Sequence, residues 1–550
     1  MNRRKFLHHS LKMGMAPIAL SGLPLKGITA SMMPANTCDI NDRSVVIVYL
    51  NGGNDIFNTM VPLNHYDTYV NKRPFIHLNQ NQLLTLDNTL GNDQQLGLHP
   101  NLTAFKSLYD SGKVSIIQGV GYPIPNRSHF ASLDIMLRGV GDTTEDTEGW
   151  IGRYFKDRFP NYAGAPTTLE PDPLGLLFGN INNSGFHTEQ EHAWEINLSE
   201  VDPGGFYELI SSLSGQPIFN FPNSEYGDML RFLTEVEYGS NFYSSRLSSV
   251  SQNGTNSISY PSNPLSSQLQ TVARLLSGGS RTKVFMVQHV GYDTHGSQLG
   301  THASLLNDLS ETLNTFQTDL NNQGIANNVL TIVFSEFGRK IIQNGALGTD
   351  HGTLSSMFVI GSNVNPGVIG SNIDLTKEDH LGAPDAAGLA YDYRKVLATV
   401  LQDWLGASTN SITNTFLTNS FLKNKPQIIS TNAAADPSCY LQAAPPTLTP
   451  CGGDEPNVYS YIDENGNCVQ VDCLEGVPNV ESSLVLDENA YLTPVDVPKI
   501  YARDSIQANG DLRNIVTSEL EVKAGKKIRL SNNFHSKGRA FRLRIRDCDQ

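Results

Sequence analysis

The segment VVIVYLNGGNDIFNTMVP, residues 45–62, opens as an unbroken apolar, β-branched run and changes character at Asn51. A strand buried on both faces reads this way, because neither face needs the polar alternation of a half-exposed strand. Gly52 and Gly53 follow at once, and residues without a Cβ let backbone come close to a ligand. Asp55 then stands just past the carboxyl end of the strand.

Four further runs have the same texture: KVSIIQGV (113–120), KVFMVQHV (283–290), VLTIVFS (329–335) and MFVIG (357–361). Each is expected to be a buried parallel strand. Between them lie helical patterns, LTAFKSLYDSG (102–112), SHFASLDIMLRG (128–139), LSSQLQTVARLLSGG (265–279), LLNDLSETLNTFQTDL (305–320) and YRKVLATVLQDWLG (393–406). This alternation predicts an α/β domain over residues 40–425, a doubly wound and mostly parallel sheet. Such sheets bind ligands beyond the carboxyl ends of their strands, so the polar residues after each strand are the ones to inspect.

At 550 residues the chain exceeds one core, and 39% hydrophobic with 17% charged residues fits a soluble globular protein. A formal net charge of −15 argues against nucleic acid as a partner. The N-terminus, MNRRKFLHHSLKMGMAPIALSGLPLKGITA, pairs Arg3 with Arg4 ahead of an apolar run too short and too interrupted to span a bilayer. It is similar to a twin-arginine export signal, which predicts a leader over residues 1–35, with cleavage after Ala30 or Ala35, and a periplasmic or cell-surface protein. Five of the six cysteines, Cys439, Cys451, Cys468, Cys473 and Cys548, fall in the last quarter, which predicts a disulfide-stapled region in an oxidising compartment. Residues 426–479 read as a Cys/Pro-rich linker region, within which VYSYIDENGNCVQVDC (458–473) carries an Asn-Gly hairpin signal. Residues 480–550, ending LEVKAGKKIRLSNNFHSKGRAFRLRIRDC, alternate apolar and polar residues and predict a small antiparallel β-module.

Polar clusters follow four of the strands. After Asp55 comes Ser128, which opens a helix; its simplest role is an N-cap. Asp293 and His295, in GYDTHGSQ, point to one side if the segment is extended. Glu336 ends the fourth strand in SEFGR, and Asp350 and His351 sit between Gly348 and Gly352 in NGALGTDHGTLSS (344–356). Carboxylates with imidazoles suit a divalent metal ion, zinc first, with manganese or calcium as alternatives. The competing reading of an Asp-His pair in a glycine loop is a turn beside a hydrogen-bonded histidine.

The stretches VVIVYLNGGNDIFNTMVP, NRSHFASLDIM, EGWIGRYF, GYDTHGSQ, SEFGRKIIQNGALGTDHGT and YDYRKVLATVLQDWLG resemble, in this order, the motifs of a large twin-arginine-exported bacterial family known as domain of unknown function 1501, related to the alkaline phosphatase and sulfatase superfamily. The resemblance spans roughly residues 40–406. It implies metal ligands at Asp55, Asp293, His295, Asp350 and His351, and a nucleophile at Ser128. Arg127 or Arg339 would clamp an anionic oxygen; the plainer reading makes the first a surface residue and the second a salt-bridge partner. The superfamily's late histidine has no matching motif, leaving His380, His302 or His289 as alternatives, and the formylglycine signature of sulfatases is missing. His129 reads as a supporting or packed residue, and Tyr391, Asp392 and Arg394 as structural. The expected function is therefore an exported metal-dependent hydrolase of phosphate or sulfate esters, small or polymeric. The alternative is a catalytically silent envelope scaffold, in either case with attachment to the cell envelope through the C-terminal module.

Overall fold

The computed structural model describes residues 43–430, apart from 143–147, 161, 163, 165–169, 190–193 and 199–242, and beyond them the backbone of eight strands between 459 and 545. The chain divides into two compact units, Met1–Ala443 and Ala444–Gln550. The expected leader over 1–35 lies outside the described residues, as do the cysteine side chains on which the disulfide expectation rests. No described helix is long and apolar enough to cross a membrane.

The first unit is built on a nine-stranded sheet, beside a small three-stranded one of 60–62, 96–98 and 84–85. The strands of the large sheet are β1 (Ser44–Asn51), β2 (Val114–Gly121), β3 (Gly175–Phe178), β4 (Glu195–Leu198), β5 (Val284–Val290), β6 (Val329–Phe334), β7 (Ser355–Ile360), β8 (Gly367–Ile369) and β9 (Tyr391–Asp392). They run in the order β8-β2-β7-β6-β1-β5-β3-β4, with β9 also on β2. β1 is central and parallel to both neighbours, Val45 opposing Val284 on one side and Leu330 on the other. Residues 44–50 are all buried, as an apolar run with no polar alternation requires.

One expected parallel strand is not parallel. β7 pairs antiparallel with both β6 and β2. The chain leaves β6 and turns back through a loop pinned by a bridge between Arg339 and His351, with no crossover helix. An antiparallel neighbour needs only such a loop, whereas a parallel one needs a crossover. Because β7 is buried throughout, its residues carry no sign of direction.

Six helices matter to the sheet and site: α1 (Thr103–Asp110), α2 (His129–Arg138), α3 (Trp150–Arg158), α4 (Pro264–Ser277), α5 (Gln298–Asn322) and α6 (Tyr393–Thr399). α4 starts with Pro264 at its first turn, while the Asn263 side chain accepts from Ser266 N at 2.8 Å. α5 buries Leu306, Leu309, Leu313, Phe316 and Leu320, the three- and four-residue steps of one helical face. α6 is capped by Asp392, which also takes the Arg394 guanidinium, and Tyr393 Oη donates to the carbonyls of Ile135 and Val140. This is the structural role expected of the YDYR segment.

In the second unit, 459–462 and 468–471 form the antiparallel pair that the Asn-Gly spacing predicts. The expectation of an antiparallel module over 480–550 is overturned. Strands 483–486, 505–508 and 527–530 form one parallel sheet, and 499–502, 520–524 and 541–545 another. Ser483 opposes Ser505, and Ser505 opposes Lys527, so partners lie 22 residues apart. Alternating hydrophobicity is blind to strand direction; the signal that carries it is a repeat of about one coil per 22 residues.

Candidate metal centre

Three loops beyond the carboxyl ends of β2, β5 and β6 build the site. After β5 the chain turns at Gly291, and Tyr292 N donates to Asn51 O, which brings Asp293 and His295 beside the end of β1. The turn fits only because position 52 is glycine: a Cβ there would lie 2.4 Å from Asp293 N. Gly348 and Gly352 serve the same purpose. A Cβ on Gly348 would lie 2.4 Å from His295 C, and one on Gly352 at 2.4 Å from Arg339 C. Neither needs positive φ, so the glycines around Asp350 and His351 exist for close approach. After β2, Asn126 Oδ1 accepts from Ser128 N at 2.9 Å, and Ser132 Oγ donates to Glu336 O at 2.5 Å, seating the start of α2 against the end of β6.

The result is a convergence of imidazoles on one carboxylate oxygen. Asp293 Oδ1 lies 3.1 Å from His295 Nε2, 3.1 Å from His351 Nε2 and 3.3 Å from His129 Nε2. His295 Nε2 and His351 Nε2 are 2.9 Å apart. His129, Asp293 and His351 offer ligand atoms all within 4.8 Å of one another.

The outer ring nitrogens decide what the inner ones can be. His129 Nδ1 lies 2.6 Å from Glu336 Oε1, His295 Nδ1 3.2 Å from Asp350 Oδ1, and His351 Nδ1 2.7 Å from the carbonyl of Arg127. These oxygens accept, so each Nδ1 carries a proton, and a ring that is neutral turns its Nε2 lone pair inward. Two such lone pairs facing each other at 2.9 Å, against one carboxylate oxygen, repel unless a proton or a metal ion lies among them. His129 Nε2 is itself a buried nitrogen without a hydrogen-bond partner. Ligand atoms about 2.0–2.1 Å from a shared tetrahedral zinc sit roughly 3.3 Å apart, close to the separations here. The residues therefore fit a divalent ion.

The local fields act on each group separately. Burial opposes the charge on Asp293, but the hydrogen bond and charge of Arg339 outweigh it and hold the carboxyl at about 2. Asn344, with Lys340 and His295, keeps Asp350 at about 2. Burial pushes His351 down, toward the neutral form that can bind an ion, whereas the hydrogen bond to Glu336 raises His129, where a proton and an ion compete for Nε2.

The expected site residues separate into those the structure gathers and those it engages elsewhere. Asp293, His295 and His351 come together, joined by His129. Asp350 stands one layer out, accepting from His295, Lys340 and Asn344. Asp55 is fully buried and held by Arg73 at 2.6 and 3.0 Å, by Gln298 at 2.5 Å and by Phe57 N at 3.2 Å. Arg339, expected as an anion clamp, is likewise buried: its guanidinium donates to the carbonyls of Gly52, Gly53, Tyr292 and Thr349 and to Asp293. It ties the site's loops together. Arg127 is anchored through Nη2 to Asp379. Ser128 occupies the N-cap position of α2 but makes no capping hydrogen bond and is exposed. Of the alternative histidines, His302 is buried against Asn54 and His289 against Tyr292, each pushed down to about 4 by burial, and His380 is exposed. His129, expected as a supporting or packed residue, joins the cluster directly; the signal for it in the sequence is its place beside Ser128 at the start of the helix that follows β2.

The fold and site thus define an α/β protein with a His/Asp centre of metal-binding type at its sheet edge. Residues 247–416 match the family described as "Protein of unknown function (DUF1501)", a span that includes Asp293, His295, Glu336 and His351. No curated protein matches the chain. Among solved structures it is similar to the lipoteichoic acid synthase LtaP from Listeria monocytogenes, with 10% identity, TM-score 0.28, and 74% of this chain and 79% of that one covered. It is also similar to the zinc complex of the C-terminal periplasmic domain of EcEptC from Escherichia coli (8%, TM-score 0.24, 58% and 72%) and to the alkaline phosphatase of the Antarctic bacterium TAB5 (12%, TM-score 0.22, 60% and 92%). At these values a likeness says nothing about chemistry, which rests on the side chains of the site.

Proposed function

We propose that the chain is a metal-dependent hydrolase of phosphate or sulfate esters, with one divalent ion held by His129, Asp293 and His351 beside His295, and Ser128 as nucleophile. The observation that carries this reading is the pair of facing Nε2 atoms of His295 and His351, 2.9 Å apart and both against Asp293 Oδ1. An imidazole-rich set favours zinc over manganese or calcium, which prefer oxygen. When bound, the ion supplies Lewis acidity and lowers the pKa of a nearby hydroxyl. Ser128 Oγ is unspent, and it stands at the N-terminus of a ten-residue helix, whose free N–H groups favour an anionic oxygen. Arg127, anchored by Nη2, keeps Nε and Nη1 for the same oxygen. The choice of phosphate or sulfate esters follows the motif resemblance.

The Arg3-Arg4 leader supports export of the folded protein to the periplasm or cell surface, with the second unit as the envelope attachment. Loss of export in an Arg3→Lys, Arg4→Lys chain, followed by cell fractionation, tests this. A second reading, a silent envelope scaffold, is favoured by one observation: Arg73 occupies Asp55, so an expected ligand of a second ion is engaged.

Elemental analysis of the purified protein, beside Asp293→Asn and His351→Ala, tests the function. One equivalent of zinc, lost in both variants, justifies screening phosphate and sulfate esters. A folded wild type that takes up neither zinc nor manganese overturns the hydrolase and leaves the scaffold.

A further inference from the structure

Glu336 lies at the end of β6 with its side chain wholly buried. Its Oε1 accepts from His129 Nδ1 at 2.6 Å and from Gly52 N at 3.0 Å, and its Oε2 from Ser335 Oγ at 3.0 Å. Among the described residues its one ion-pair partner is His129. No lysine or arginine meets it there, unlike Asp55 with Arg73, Asp293 with Arg339 and Asp350 with Lys340. A buried carboxylate is costly without a compensating positive charge. Tyr49 also shares a hydrogen bond with Glu336, so among its described partners the His129 ring alone can bring positive charge.

We propose that Glu336 is the positioning residue that makes His129 an ion ligand: it takes the Nδ1 proton and fixes the ring so that Nε2 faces Asp293 and His351. This deepens the proposed function and rests on it. The geometry does two things at once. It sets the tautomer, since a carboxylate at 2.6 Å can only accept, and it fixes the ring plane, since the same oxygen is tied to Gly52 N at the end of β1. His129 Nε2, which has no hydrogen-bond partner, is the atom left over. The alternative is that Glu336 is a loop clamp only, joining β1 to β6, with the histidine an incidental partner.

Zinc affinity of the full chain, measured by competition with a chromophoric chelator, separates the two. Glu336→Gln is expected to weaken zinc binding by about 10–100-fold, the usual loss when an outer partner of a ligating histidine is altered. In a His129→Ala background the same substitution is expected to add nothing. An E336Q protein with wild-type affinity overturns the proposal, and so does an equal loss in both backgrounds, which is the signature of a loop clamp. A wild type that binds no zinc overturns the centre itself and is read separately, from the unsubstituted protein. Should E336Q not fold, ring 15N–1H correlation spectra of the zinc-loaded wild type answer the question without a variant. A His129 proton on Nδ1 supports the proposal, and one on Nε2 overturns it.

Discussion

Asp55 and Asp293 follow the carboxyl ends of the neighbouring strands β1 and β5, and both are held below their ordinary pKa, yet they belong to different kinds of site. Around Asp55 every partner is permanent. Arg73 binds it with two nitrogens while giving its remaining donors to Asn58, Ile341 and Lys340, and nothing in the pair is exposed. Around Asp293 the partners are one fixed guanidinium and three imidazoles, and half of its side chain is open to solvent. An arginine cannot give up its charge, so the first carboxylate is locked. A neutral imidazole brings a lone pair and no charge, so the second carboxylate, though paired with Arg339, sits in a cluster that can take a metal ion.

The largest expected effect comes from unlocking Asp55. Arg73→Met leaves a buried carboxylate unpaired and should cost about 3–5 kcal/mol, read as a fall in the urea midpoint. Burial opposes ionisation of Asp55, but Arg73 outweighs it and lowers the pKa from 3.8. A depressed native pKa contributes stability above the unfolded value and loses it as pH falls through the native one. The wild type should therefore lose stability more steeply below about pH 4 than an Asp55→Asn, Arg73→Met chain. If Arg73→Met instead keeps its stability and takes up a second equivalent of zinc, Asp55 is a masked ligand and the contrast with Asp293 disappears.

Removing a ring from the second cluster is expected to act on the ion and little on the fold. His351→Ala should lose more zinc affinity than the about 10–100-fold associated with an outer partner. Its midpoint in the metal-free form should move little, because the side chain is partly exposed. Asp350→Asn tests the layer between: acting through His295 Nδ1, it should weaken zinc by about tenfold. A loss as large as that of His351→Ala would make Asp350 a ligand in its own right.

The strands were legible because burial on both faces writes itself as an apolar run, and β1, β2, β5, β6 and β7 all lie where such runs occur. Their directions were not: the same burial makes β7 indistinguishable from its parallel neighbours, and period-two alternation hid the 22-residue spacing of the second unit. At the site, the loops carrying Asp293, His295, Asp350 and His351 could be placed on one edge. What pairs with what could not, since Arg73 is 18 residues from Asp55 in sequence and Glu336 is 207 from His129. A carboxylate after a strand looks the same whether a guanidinium or an imidazole waits across the fold.

Ser128 gives the smallest expected effect on stability and the sharpest contrast between a helix cap and a nucleophile. A capping serine contributes about 0.5–2 kcal/mol through its side-chain bond to the helix N–H groups. Ser128 has the extended backbone of a cap, but its Oγ makes no such bond, and the turn before it is held by Asn126 instead. Ser128→Ala should therefore leave the urea midpoint and the zinc content within error of the wild type while abolishing turnover of whichever ester the screen identifies. A loss near 1 kcal/mol with turnover intact would return Ser128 to the cap and place the nucleophile elsewhere around Asp293. The Ser128 hydroxyl, next in sequence to His129, is not used as a cap, and that variant asks whether it has a chemical use.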